Sequence, residues 1–303
     1  MMQTDEADNQ SKKCFLKENF GKSILPLSRL DNEIRPGGNP IEILLFYKKE
    51  ISPSEIQKSF AKALQHYNLF SSRLIMIDRD TFALQYCTDG ATLNILPSFS
   101  AASSRVRIHE IQERMIHVRT LPGEPLFALT VIPVQDGYFG GFSFSHAIGD
   151  GVSLILFLFS LGLIMAGKNF PLPSNQRLFT GKPLRVEQIE KSLIPPLHEL
   201  NQRIQNRVRQ ADMKIYSTRE YFSEEQLNAI KHQAKSAGKT YEISHNQIMT
   251  SLLLKKYHHD LLPDADRIRL RSPVNLREIH PDIDPCYIGN ALFVSFTEFE
   301  KDE

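Results

Sequence analysis

No tryptophan occurs anywhere in the 303 residues, and cysteine is scarce, with three at Cys14, Cys87 and Cys286. Thiols this few, odd in number and far apart, give neither a disulfide framework nor a metal-ligand spacing. A reducing compartment, the cytoplasm, is the setting they suit. An excess of either charge is also missing: 36 Lys and Arg stand against 35 Asp and Glu, a formal net charge of +1. That balance excludes the gathered basic surface of a nucleic-acid-binding protein. The N-terminus, Met1-Met2-Gln3-Thr4-Asp5-Glu6, is polar and acidic and lacks the charged and apolar regions of a secretory signal. The apolar run over residues 152–166 falls short of the ~20 residues that cross a bilayer. A helix buried on all sides of a soluble core reads the same way, so no membrane span is expected.

What the chain does contain is strand and helix patterns mixed in two successive blocks. Residues 1–24 are polar and expected to be flexible. Ile41 to Tyr47 is rich in β-branched and aromatic residues, as a strand requires. Ser52, Pro53 and Glu55 form the opening of a helix, continued by apolar Ile56, Phe60, Leu64 and Tyr67 at helical spacing. Strands are expected near 73–77 and 82–87 around a turn at Asp78-Arg79-Asp80, and a helix near 106–119. Residues 127–134 and 138–145 read as a hairpin turning at Gln135-Asp136-Gly137. Proline and glycine break the pattern between 167 and 196, and a polar helix is expected near 197–213. Lys214 to Phe222 reads as a strand. Ser223 and Ser244 each start a capping pattern, and strands follow at 268–274 and 291–296. The class is α/β or α+β, with mixed sheets flanked by helices. The blocks are a first domain over 25–170, a crossover over 171–213 and a second domain over 214–303.

The chemistry is concentrated at Ser143-Phe144-Ser145-His146-Ala147-Ile148-Gly149-Asp150-Gly151. A strand ends there at a histidine, with an aspartate and a glycine at fixed offsets and an apolar helix beyond. A neutral imidazole can take and return a proton within one turnover near neutral pH. That is the service an alcohol or amine needs as it attacks an activated acyl group. Gly149 and Gly151 suggest a loop using backbone dihedrals closed to other residues. In such a loop Asp150 turns from the imidazole and pairs with a distant arginine, for which Arg277 is the candidate. H-x-x-x-D alone is common by chance. His109 and His117 are spaced too widely for a helical metal pair, and His258-His259-Asp260 suits the C-terminal end of a helix, so no metal is expected.

Taken with further stretches in the same order, this run resembles the BAHD acyltransferases, of chloramphenicol-acetyltransferase-like fold. His146-Ala147-Ile148-Gly149-Asp150-Gly151 is similar to the family's H-x-x-x-D-G. Leu27-Ser28-Arg29-Leu30-Asp31 resembles its opening L-S-x-x-D, and Asn68 to Leu74 its P-x-x-A-G-R-L stretch with both small residues altered. Pro273 to Arg277, then Tyr287-Ile288-Gly289-Asn290, resemble its arginine and Y-x-G-N elements. The resemblance implies His146 as general base in a solvent channel between two domains. It implies Asp150 as structural and paired with Arg277, Gly151 as permitting the turn, and Asn290 near the channel. It implies acyl-CoA as co-substrate with no bound cofactor, and a small-molecule alcohol or amine as acceptor.

The family's second motif, D-F-G-W-G, is absent, as a chain without tryptophan requires. The second domain is therefore expected to be incomplete, which leaves a place for a complementing C-terminal fragment. Two alternatives to an acyltransferase stay open. One is a catalytically impaired remnant acting as a binding or interaction module. The other is a condensation-domain-like enzyme, although that group carries paired histidines and Ser145 stands here before His146.

Overall fold

The computed structural model describes residues 24–27, 31, 40–48, 52–76, 82–87, 90–174, 220–236, 242–261 and 267–300. The expectations for residues 1–23, for the turn at Asp78-Arg79-Asp80, for the crossover beyond Ser174, for the helix near 197–213 and for most of the strand at 214–222 lie outside these residues. Contacts divide the chain into two compact units. One takes the described residues of Met1–Asn201 together with Pro273–Phe293, and the other those of Gln202–Ser272 with Val294–Glu303. The division differs from a simple split near 171–213, because Pro273–Phe293 belongs with the first unit. The buried bonds described below are the physical reason.

Strands β1 (Ile24–Pro26), β2 (Ile41–Tyr47), β3 (Ser72–Met76), β4 (Phe82–Tyr86) and β5 (Thr92–Ile95) precede the hairpin of β6 (Phe127–Val134) and β7 (Gly137–Phe144). The hairpin pairs antiparallel from Phe127↔Phe144 to Val134↔Gly137. β2 joins the free edge of β7 antiparallel and β5 joins β6 parallel, giving a mixed sheet in the order β2-β7-β6-β5. A second, antiparallel sheet has the order β1-β4-β3.

Successive side chains of a strand point to opposite faces, and β7 is buried throughout, so both faces of the sheet must be covered. Phe142 and Phe144 turn to one face, where helices α1 (Pro53–His66) and α3 (Gly151–Met165) supply Phe60, Leu64, Leu154 and Phe157. Phe157 lies 4.9 Å from the rings of both Phe70 and Phe127. Each such phenylalanine contributes about 1.5–3 kcal/mol through burial. Phe139 turns to the other face and packs with Ile132, Val134 and Ile111 of the short helix α2 (Ile108–Gln112). α1 starts as its sequence reads: the Ser52 hydroxyl accepts from the Glu55 N–H at 3.2 Å, and Pro53 occupies the first turn.

Two local expectations change. The helix near 106–119 shrinks to Ile108–Gln112. Beyond it the backbone donates to the side chains of the sheet instead, Ile116 N–H to Thr130 Oγ1 and Val118 N–H to Ser143 Oγ, each at 2.9 Å. Hydroxyls presented by β6 and β7 thus replace the helical carbonyls as acceptors. α3 exists over the apolar run, but it is not buried on all sides. Leu154, Phe157, Leu161 and Ile164 face inward, while Ile155 and Phe159 are each 58% exposed. No helix among the described residues is long and apolar enough to cross a membrane.

In the second unit, α4 (Glu224–Ser236) and α5 (His245–Leu261) each open with a complete capping box. Ser223 Oγ accepts from Gln226 N–H at 3.2 Å while Gln226 Oε1 accepts from Ser223 N–H at 2.9 Å. Ser244 and Gln247 repeat this at 3.2 and 2.8 Å. β8 (Arg267–Asn275) and β9 (Leu292–Glu300) form a two-stranded sheet.

The hairpin turn makes one strong demand. Gly137 has φ +152°, and a Cβ there would fall on the Tyr47 backbone carbonyl. Backbone in the strand pair cannot yield as a side chain can. Gly137→Ala is therefore expected to destabilise the fold by about 1–3 kcal/mol. Urea unfolding followed by circular dichroism checks this, and an unchanged midpoint would contradict it.

Candidate active site

β7 stops at Phe144, and Ser145 begins the turn that leads into α3. The turn is closed by ordinary local bonds. Ser145 N–H donates to the Leu126 carbonyl at 2.8 Å, and Ile148 N–H to the Ser145 carbonyl at 3.2 Å. Ser145 Oγ accepts from Ala147 N–H at 3.1 Å and lies 2.8 Å from Thr120 Oγ1.

His146 emerges from this turn half-buried. Its Nδ1 is buried without a hydrogen-bond partner, whereas Nε2 is not among the buried unpaired atoms. Burial pushes the ring's pKa below the ordinary 6.5, and the Asn290 side chain, the Asp150 charge and the Gly149 backbone oppose the fall. The balance favours a neutral imidazole, the form that can accept a proton.

Asp150 is the N-cap of α3 and does not point at the ring. Its Oδ1 accepts from Ser153 N–H at 2.9 Å, from Ser153 Oγ at 3.0 Å and from Arg277 Nη2 at 3.0 Å. Its Oδ2 accepts from Arg277 Nη1 at 2.8 Å and from Ala291 N–H at 2.9 Å. Arg277 also donates through Nε to the Tyr287 carbonyl at 3.0 Å and through Nη2 to the Gly289 carbonyl at 2.9 Å. The side chains of this pair are 2% and 0% exposed. Removing two charges from water costs several kcal/mol each, and only complete hydrogen bonding offsets that. Here the carboxylate and the guanidinium are both multiply bonded. The pair fastens the start of α3 to the segment between β8 and β9.

Asn290 comes from the same segment. Its Nδ2 donates to the His146 carbonyl at 2.7 Å and to Asp31 Oδ1 at 2.8 Å, and its backbone N–H donates to Asp31 Oδ1 at 3.2 Å. The geometry thus brings His146, Asp150, Arg277 and Asn290 to one place. Gly151 is close in sequence but plays a different part from the one expected. Neither Gly149 nor Gly151 has positive φ, so the turn does not depend on left-handed backbone. Gly149 is small for a packing reason, since a Cβ would approach Ser153 Cβ to 2.8 Å, while a Cβ at Gly151 would meet nothing within 4 Å.

Two residues of the cluster were given no part by the sequence reading. Asp31 stands in a recognised stretch but nothing local says where its carboxylate goes. Ser153 joins Asp150, Arg277 and the Gly289 backbone, accepting from Gly289 N–H at 3.1 Å and from Arg277 Nη2 at 3.2 Å. Its one sequence signal is its place three residues after an N-capping aspartate.

Residues 11–303 match the family described as Transferase family. An uncharacterised acetyltransferase of Arabidopsis thaliana is 23% identical over 80% of this chain and 58% of its own length. The chain therefore spans a little over half the length of that curated relative. Vinorine synthase superposes with a TM-score of 0.62 at 18% identity, covering 97% of this chain and 68% of its own. TRI101 of F. graminearum, solved with coenzyme A and T-2 mycotoxin, gives 0.64 at 14% identity, covering 92% and 70%. At these identities the two structures speak to the fold alone.

Proposed function

Because this chain belongs to the Transferase family, the BAHD acyltransferases, we propose that it moves an acyl group from acyl-CoA to a small-molecule alcohol or amine, with His146 as the general base. The acceptor O–H or N–H gives its proton to His146 Nε2 as its heteroatom bonds to the thioester carbonyl carbon. The tetrahedral intermediate then collapses with cleavage of the C–S bond. The departing thiolate takes the proton back from the imidazolium, which leaves the ring neutral for another turnover. A thioester is already activated, so the enzyme need supply no nucleophile of its own.

The observation that carries this reading is a half-buried, neutral-leaning imidazole on a turn whose aspartate is wholly engaged elsewhere. Asp150, spent on Arg277 and the α3 cap, serves as structural support rather than as a partner of the ring. TRI101 of F. graminearum, solved with coenzyme A and T-2 mycotoxin, supports a coenzyme A carrier and a small-molecule acceptor as the substrate classes.

The test measures thiol release with several acyl-CoA donors against a panel of alcohols and amines, alongside calorimetry of donor binding. Acceptor-dependent release of free thiol is expected. Saturable donor binding with no release from any pair would replace the enzyme by a binding module, and absence of both would remove the acyl-CoA reading.

A further inference from the structure

Asp31 is 0% exposed, and its carboxylate takes no part in the proton transfers of the reaction. Its Oδ1 accepts twice from Asn290, from Nδ2 at 2.8 Å and from the backbone N–H at 3.2 Å. The same Nδ2 donates to the His146 carbonyl at 2.7 Å. We propose that Asp31 is a positioning residue for acyl transfer: through the Asn290 amide it holds the backbone carbonyl of His146, and so sets the place of the ring. The contacts stand on geometry alone, while their use in catalysis rests on the base role proposed above.

The orientation of the amide follows from its neighbours. Oxygen and nitrogen of an asparagine are told apart by their hydrogen-bond network. Here both Nδ2 hydrogens meet acceptors, the Asp31 carboxylate and the His146 carbonyl. Rotating the amide by half a turn would set its oxygen against both, turning two attractive contacts into two repulsive ones. Of the two acceptors a carboxylate is the stronger, and Asp31 also grips the backbone N–H of the same residue. Asp31 therefore fixes which way the amide faces. Without it, the His146 carbonyl alone would have to hold the amide that is meant to hold it.

The bonds around residues 289–291 make this role specific. The neighbours of Asn290 are held from the other side. Ser153 Oγ accepts from Gly289 N–H at 3.1 Å, Arg277 Nη2 donates to the Gly289 carbonyl at 2.9 Å, and Asp150 Oδ2 accepts from Ala291 N–H at 2.9 Å. None of these bonds involves Asp31, so its loss leaves the segment tied down while the amide loses its orientation. The turn itself is closed on either side of His146, by Ser145 N–H on the Leu126 carbonyl and by Ile148 N–H on the Ser145 carbonyl. The His146 carbonyl is met by Asn290 instead. No bond at Nδ1 aims the ring, since that atom is buried without a partner, and the backbone beneath it must do so. A misplacement of about 1 Å can cost on the order of 100-fold in rate, and a base aimed by its backbone is exposed to errors of that kind.

Nuclear magnetic resonance of protein carrying histidine labelled with ¹³C at the carbonyl tests the link. The His146 signal is identified by its loss in His146→Gln. In Asp31→Ala that signal is expected to shift, as the carbonyl loses its donor. At saturating substrate kcat should fall about 10- to 100-fold, while KM for the acyl donor changes less than about threefold. Adding Asp31→Ala to Asn290→Ala should slow turnover by less than about threefold more, because both substitutions break one chain of contacts. A folded Asp31→Ala protein with an unmoved carbonyl signal overturns the proposal. So does one that melts earlier yet keeps the wild-type kcat, since Asp31 would then be structural only, and so do losses that multiply in the double variant. Should Asp31→Ala not fold, Asp31→Ser, polar but one atom shorter, takes its place with the same outcomes. A wild-type protein inactive with every donor, in which the Asp31 variant still moves the carbonyl signal, would sink the acyl-transfer reading and uphold the link from Asp31 to His146.

Discussion

Arg277→Leu is expected to lower stability by about 3–5 kcal/mol, the range for breaking one partner out of a buried ion pair. The substitution leaves the Asp150 carboxylate 0% exposed and without its countercharge. It also strips the Tyr287 and Gly289 carbonyls of their Arg277 donors. Against a total of about 5–15 kcal/mol for an ordinary folded protein, that is a large share. Arg277→Lys should rescue little, because an ammonium is a point donor and cannot make the bidentate contact to both carboxylate oxygens. Asp150→Leu alone should cost a comparable amount, and the double variant less than the two losses added, since the buried charge goes with its partner. Urea unfolding followed by circular dichroism measures all four proteins, as there is no tryptophan to report. Single-variant losses below about 1 kcal/mol would mean that water reaches the pair and that it does not hold the site together.

His146→Ala is expected to lower kcat by about 10²–10⁴-fold, the usual contribution of a positioned general base, while the melting profile stays close to wild type. The ring makes no side-chain hydrogen bond that the fold depends on, its Nδ1 being unpaired. Near-full activity in this variant would remove the ring from the mechanism. The pH profile adds a second signature. Burial lowers the pKa of His146 below 6.5, so the neutral base persists into more acidic solution than an ordinary histidine would allow. The acid limb of kcat/KM should therefore lie below that value. Stability follows the same direction. The folded state favours the neutral ring, so this contribution is present above the unfolded pKa and is lost as pH falls through the depressed folded one. In His146→Ala that part of the acid dependence should vanish.

The features legible in the linear chain are those whose physics is local. The boxes at Ser223 and Ser244 close within three residues, and the 127–144 hairpin declares itself by alternation and an Asp-Gly turn. Asp150 caps the helix that starts beside it. The expected helix near 106–119 shows the limit of this reasoning. Its residues carry helical spacing, but Thr130 and Ser143 of the neighbouring sheet offer better acceptors to the backbone, and no local pattern can report on them. β5, at four residues, is too short to show a period.

The site divides along the same line. Sequence alone determined a histidine at the end of a strand, an aspartate four residues on, and the class of chemistry an imidazole can perform. The sequence also offered Arg277 as the partner of Asp150, and the tertiary structure decided that this pair, 127 residues apart, is buried. It likewise decided that Asp31, 259 residues from Asn290, holds the amide that donates to the His146 carbonyl. The reason is physical. Helix caps and turns are set by neighbours along the chain, whereas burial, which makes an ion pair strong and an unpaired nitrogen costly, exists only once distant segments have closed over one another.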